Sequence, residues 1–310
     1  MNRTFKVVFS KVRGTMVVAS EAAATPHKKA AKTVIAAAAA LAMGTVMAQG
    51  WAEPDGIDQT SERYTSVENL TQSRYNYFQS QDKTGFVTIS TEGDHVIEGK
   101  EIWVTATGSD TQSHALNAKG TGVKLTNTGK IYIQAGEGAK SWSQKGMMAG
   151  GGATVANEGD IVAKNAYGMT VETGKASNIE NGVHGTITVL EQGAGIELGG
   201  ASGSTAVNNG TINVGEITEE RDNHIFGHGV LINTSDNTFK NNGTISAEGE
   251  NASAIEVKEQ ATNTTIVLGS KSKVLGKINF SKTVTESRLV ADGAVDTLDL
   301  ASQAQDLKLY

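Results

Sequence analysis

The side chains that could do chemistry in this sequence are few, and they are far apart. His224 and His228 stand four residues apart in HIFGH, a spacing that suits a pair of metal ligands. Zinc takes three or four ligands in a tetrahedral array, and an i, i+4 pair is usually aimed by a helix. Here the stretch reads as loop, with neither a cysteine nor a third histidine beside it, so a solvated loop is expected and no metal or other cofactor. Glycoside hydrolysis needs two carboxylates about 5 to 10 Å apart in a cleft. Asp160, Glu172, Glu197 and Glu256 each fall singly between apolar neighbours, which puts them on outward strand faces, the last three at a shared position in the repeat. No Ser-His-Asp arrangement or phosphate loop is legible, and the absence of cysteine removes thiol chemistry and Cys-based metal sites. The expectation is a non-catalytic protein. Its candidate contacts are Trp103, Trp142 and the charged excursion VGEITEERDNHIFGHG (214–229), which carries both histidines.

The elements that would position these groups come from a repeat. Six glycines are each followed two residues later by isoleucine, giving Ile131, Ile161, Ile187, Ile212, Ile245 and Ile278, at spacings of 30, 26, 25, 33 and 33. Apolar residues at alternate positions mark strands with one buried face. Midway through the units a second such strand appears in YGMTVE, GAGIEL, GHGVLI and ASAIEV. Asparagine precedes the anchor glycine in NTG, NEG, NNG and NNG, at 127, 157, 208 and 241. Asn and Gly tolerate left-handed backbone, so N-x-G reads as a tight corner, and stacked corners let one asparagine amide bond to the next.

A period of 25 to 33 residues with two or three strands suits an all-β, right-handed parallel β-helix of about seven coils. At about 4.8 Å per coil the rod would be on the order of 35 Å long. Propellers and leucine-rich repeats need patterns that are missing here. The composition agrees: 5% aromatic residues, 36 glycines and 2 prolines in 310 residues describe a turn-rich β-protein and not a compact enzyme core. Residues 85–310 hold the repeat. Residues 49–84 lack it and read as a linker or cap, with Tyr75, Tyr77 and Phe78 placed to cover the first open coil.

Ahead of this lies an export signal at 27–48, with a basic start at Lys28, Lys29 and Lys32, an apolar run to Met47, and a small-residue exit that predicts cleavage between Ala48 and Gln49. Seven of the 27 basic residues but one of the 33 acidic ones lie in 1–48, so the remainder carries a formal charge of −12. Nucleic-acid binding needs clustered Lys and Arg to displace phosphate counterions. No nucleic-acid partner is expected.

The leading MNRTFKVVFSKVRGTMVVASE resembles the extended signal peptide region of Gram-negative type V secretion proteins, the autotransporter adhesins and haemagglutinins. The matching features are Met1-Asn2-Arg3, the run Phe5-Lys6-Val7-Val8-Phe9 and the close Val17-Val18-Ala19-Ser20-Glu21. Phe9 replaces a tryptophan common in that family, and Met16 stands where another aromatic often falls. The boundary of the extension is then about residue 26. The resemblance implies a passenger handled by the export machinery and then by an outer-membrane translocator barrel, and displayed at the cell surface or released outside a Gram-negative cell. The barrel is not seen in the sequence to Tyr310, so it is expected in a lost continuation or on another chain. An adhesin that contacts a host protein or glycan is the first expectation; a β-helical carbohydrate-active enzyme and a structural spacer are the others.

Overall fold

Strands with one apolar face must hide it, and here each strand stacks on the equivalent strand of the next coil. The computed structural model describes residues 5–10, 15–20, 59–60, 75–80, 83–108, 112–217, 226–247, 249–281, 284–292 and 298–300. From residue 75 onward it shows a parallel β-solenoid, and among the described residues the only helical element is the 3-10 turn Ser141–Ser143. Each coil has three strands. The third strands form an eight-stranded parallel sheet, one strand per coil, running from Gly93–Ile97 through Val123–Asn127 and Thr154–Asn157 to Arg288–Ala291. The first and second strands of the coils stack in the same way in a second sheet. Strands begin ahead of residue 85, because Tyr75–Ser80 pairs in parallel with Glu101–Ala106.

The interior is built of columns. On the first strands Ile102, Ile131, Ile161, Ile187, Ile212, Ile245 and Val274 lie in register, all fully buried. Ile278, expected in this column, instead continues the second-strand column under Ile255. Gly276-Lys277-Ile278 repeats the anchor motif at the wrong corner, and the true coil edge is Ser272-Lys273-Val274. Each buried isoleucine contributes about 1.5 to 3 kcal/mol, but only once coils lie above and below it.

A polar column closes the corner after the third strand. The Nδ2 of Asn127 donates to Oδ1 of Asn157 at 2.9 Å, Asn157 to Asn181 at 2.9 Å, Asn181 to Asn208 at 2.8 Å and Asn208 to Asn241 at 2.7 Å. Asn241 ends the run by donating to the Ser272 hydroxyl at 2.6 Å. All five asparagines are fully buried. The anchor glycines that follow are needed for a different reason from the one expected. Gly129, Gly159, Gly210 and Gly243 do not take positive φ; a Cβ on any of them would run into a carbonyl oxygen of the preceding coil.

The corner between first and second strands has two forms. In Asp160–Val171 and Thr186–Leu198 the two strands run on as one, bent at Asn165 and Glu191 with φ of 49° and 61°. In the coil before them an insertion leaves at this same corner, at 136–143. Just beyond it a glycine column at 146, 168, 195 and 229 lets the strands press onto the isoleucines: a Cβ on Gly195 would lie 2.6 Å from Ile212 Cγ2.

Asn208→Ala should lower unfolding free energy by about 3 kcal/mol, because it removes the Oδ1 acceptor of Asn181 and leaves Asn241 Oδ1 without its donor in the interior. Asn178→Ala, at an exposed position outside the column, should stay within about 0.5 kcal/mol of the parent. Urea unfolding of both variants checks this, and equal effects would remove the ladder from its structural role.

Candidate binding face

Side chains of the second strands that stay out of the core form two columns, three residues apart along each strand. Register places His114, Lys145, Tyr167, Ala194, His228 and Ser253 in one outer column. Asn117, Met148, Thr170, Glu197, Leu231, Glu256 and Asn279 form a second. Beside this face the 3-10 turn Ser141–Ser143 packs against the strands Asp160–Val171 and Thr186–Leu198.

Two polar clusters result. In the first, Glu197 accepts hydrogen bonds from the Thr170 hydroxyl at 2.8 Å and from Asn233 Nδ2 at 3.1 Å. Burial raises the affinity of its carboxyl for a proton, opposed by the positive charge of Lys145 and by those two hydrogen bonds. Lys145 donates to the Trp142 carbonyl at 2.9 Å, and burial lowers its pKa against the pull of Glu197 and Glu172. The phenol of Tyr167 is pushed up, mainly by burial and also by Glu197. His114 is held down to about 3 by burial, then by Lys145 and Lys119, and its Nδ1 is buried without a hydrogen-bond partner. Lys119 in turn pairs with Glu172 at 3.0 Å.

The second cluster lines a recess of about 130 Å³ on the last coils, walled by Phe226, His228, Ser253, Glu256, Lys258 and Asn279. His228 Nδ1 meets the Ser253 hydroxyl at 2.7 Å. A serine nucleophile needs an imidazole made basic by a carboxylate on its far side. The electrostatics here run the other way: burial and then the Lys258 ammonium hold His228 down to about 3. The contact orients the ring, and neither burial nor Lys258 makes the imidazole more basic. Glu256 accepts from Asn279 Nδ2 at 2.8 Å and pairs with Lys258 at 3.4 Å.

Several sequence expectations are corrected. Trp103 is not an exposed contact: it is 3% exposed, stacked on Tyr132 with ring centroids 3.7 Å apart, and its Nε1 donates to Glu101 at 3.1 Å. His228 belongs to the strand Gly227–Ile232 and is buried, not in a solvated loop. Glu172, Glu197 and Glu256 do not share a column of adjacent carboxylates. Glu197 stacks between Thr170 and Leu231, and Leu231 separates it from Glu256. Nor is Glu197 on a fully solvated face; it is half-buried. Trp142 is exposed, on the 3-10 turn, with the Lys140 ammonium 5.1 Å from its ring. His224, Ala48 and Gln49 lie outside the described residues. Among the described residues no group of three or more His, Asp or Glu side chains is placed to hold a metal ion. Phe226, Ser253 and Asn279 went unnoticed in the sequence, although aligning GHGVLI over ASAIEV already sets His228 against Ser253.

Compared with known proteins, residues 1–49 match the family described as Extended Signal Peptide of Type V secretion system. Within that segment Phe5–Ser10 and Thr15–Ser20, which contain the two valine-rich runs, pair as antiparallel strands. No curated protein and no solved structure matches the chain. The chain thus carries a type V secretion signal, for export across the inner membrane of a Gram-negative bacterium, ahead of a parallel β-solenoid. That arrangement is consistent with an autotransporter passenger.

The histidine geometry sets a pH response. A folded-state pKa of about 3 against 6.5 unfolded means that His228 leaves stability intact above pH 6.5 and removes it as the pH falls toward 3. The slope is up to about 1.4 kcal/mol per pH unit. His228→Gln should flatten the stability profile across that window by this amount in urea titrations at stepped pH; an unchanged slope would place the imidazole in water.

Proposed function

We propose that this chain is the non-catalytic passenger of a type V secretion system, held at or released from the cell surface, and that it acts as an adhesin. The observation that carries the reading is the joining of the type V signal at 1–49 to a solenoid whose outer face is lined by polar columns. The core columns are occupied by coil-to-coil packing, so the chemistry left for recognition is on that face and on exposed groups such as Trp142. An outer-membrane barrel, in the same chain or on another, completes the route to the surface, and a host protein or glycan is the partner. The exported protein should bind saturably to at least one host matrix protein or glycan on an array; failure on all of them would leave the role of spacer.

One observation favours a second reading, a carbohydrate-active enzyme. Burial makes the Glu197 carboxyl hold its proton more tightly than a free glutamate, as a general acid requires, against the opposing hydrogen bond donated by the Thr170 hydroxyl. Under that reading the protein would release products from uronate polymers, and Glu197→Gln would lower the rate at least about a hundredfold. Under the adhesin reading no product appears from either form.

A further inference from the structure

We propose that the recess on the last coils is a subsite for one neutral hexopyranose unit of a glycan, seated against the Phe226 ring. It deepens the adhesin reading and rests on it for its place outside the cell. Size comes first: at about 130 Å³ the recess is close to the cavity of about 150 Å³ that takes a single benzene ring. It is too small for a folded partner's loop and suited to one six-membered ring.

The lining has two chemistries on opposite sides. Phe226 is 50% exposed, unusual for a phenyl group, and the His228 ring lies nearly parallel to it, centroids 6.4 Å apart at 15°. Lys258 Nζ stands 5.9 Å from the same ring. The negative face of an aromatic ring attracts polarised C–H groups, and a pyranose offers such groups on one flat face. Across the recess Glu256 is fixed by Asn279 and Lys258, and Ser253 by His228. These are acceptors and donors held on strands, and sugar hydroxyls can meet both kinds.

Charge then selects among sugars. The two carboxylates of the lining, Glu250 and Glu256, balance the two ammonium groups, Lys258 and Lys277. Lys258 is already paired with Glu256, and Lys277 donates to the Glu250 carbonyl at 2.6 Å. Among the described lining groups no net positive charge is left for an acidic sugar.

The test titrates the isotope-labelled exported protein with D-glucose, D-galactose, D-mannose and N-acetyl-D-glucosamine, with D-glucuronate alongside, and follows the Ser253 backbone amide by NMR. At least one neutral sugar should move that amide with a Kd of about 1 mM. Phe226→Ala and Asn279→Ala should each weaken it by about tenfold or more, with the circular dichroism spectrum unchanged. No shift with any neutral sugar, tighter binding of glucuronate, or full affinity in Phe226→Ala would each overturn the proposal. The adhesin reading fails separately. If sugar binds in solution but the protein binds no host surface, the subsite stands and adhesion falls; if adhesion persists with no sugar bound, the reverse holds.

Discussion

A column of buried asparagine amides fixes how one coil sits on the next, and the remaining structure depends on that register. Apolar packing alone would not fix it. First strands carry apolar residues at alternate positions, Ile131 and Ile133 or Ile187 and Val189, so sliding a coil by two residues would bury an almost equivalent face. Hydrophobic burial has no direction and tolerates that slip. An amide does not, because its donor must meet an oxygen in the next coil. From Asn127 to Asn241 each Nδ2 finds the following Oδ1 at 2.7 to 2.9 Å. In the interior an unmet amide costs more than the bond itself returns, so the column acts against wrong registers more than it adds to the right one.

The interior was legible in the sequence wherever one residue type performed one task in every coil. The isoleucines from 131 to 245 meet that condition, and so do the second-strand pairs beginning at Met169. Legibility ended where a motif occurred without its partner. Gly276-Lys277-Ile278 has the anchor pattern but no asparagine before it, and the ladder had already closed on Ser272. Asn181 was hidden for the opposite reason. Its glycine, Gly185, comes four residues later and not two, yet the amide still reaches the Gly185 carbonyl at 3.1 Å and stays in the column. The corner glycines were identified for the wrong cause: the pressing neighbour is a carbonyl about one coil away in sequence, which a local reading of turn propensity does not see.

The outer face was much less legible. Alternation says which side chains leave the core, but not what covers them afterwards. Trp103 points outward and is buried under Tyr132, its register partner one coil on. Glu197 and His228 point outward too, and both are desolvated by the coils beside them. These neighbours come from 25 to 36 residues away, so their identity depends on registers that include a bulge between Lys164 and Ala166. Past that bulge Glu197 faces Thr170, two residues short of Glu172, and Leu231 of the intervening coil stands between it and Glu256.

The same long-range wiring constrains how the chain folds and why it suits export. Ladder bonds join residues 24 to 33 apart, and among the described residues there is no helix beyond a three-residue 3-10 turn to form early by local contacts. Closing a loop of that length costs entropy that grows as (3/2)RT ln n, before the coil gains any burial. A single coil cannot recover this cost, since its apolar columns and its amide still face water on both open sides. The second coil laid on the first gains both terms at once, and every later coil needs only to close one loop against a surface already formed. Growth by addition is therefore favourable while nucleation is not. A chain led by an export signal must cross a membrane before it folds, and slow nucleation with no disulfide to form keeps it in that state.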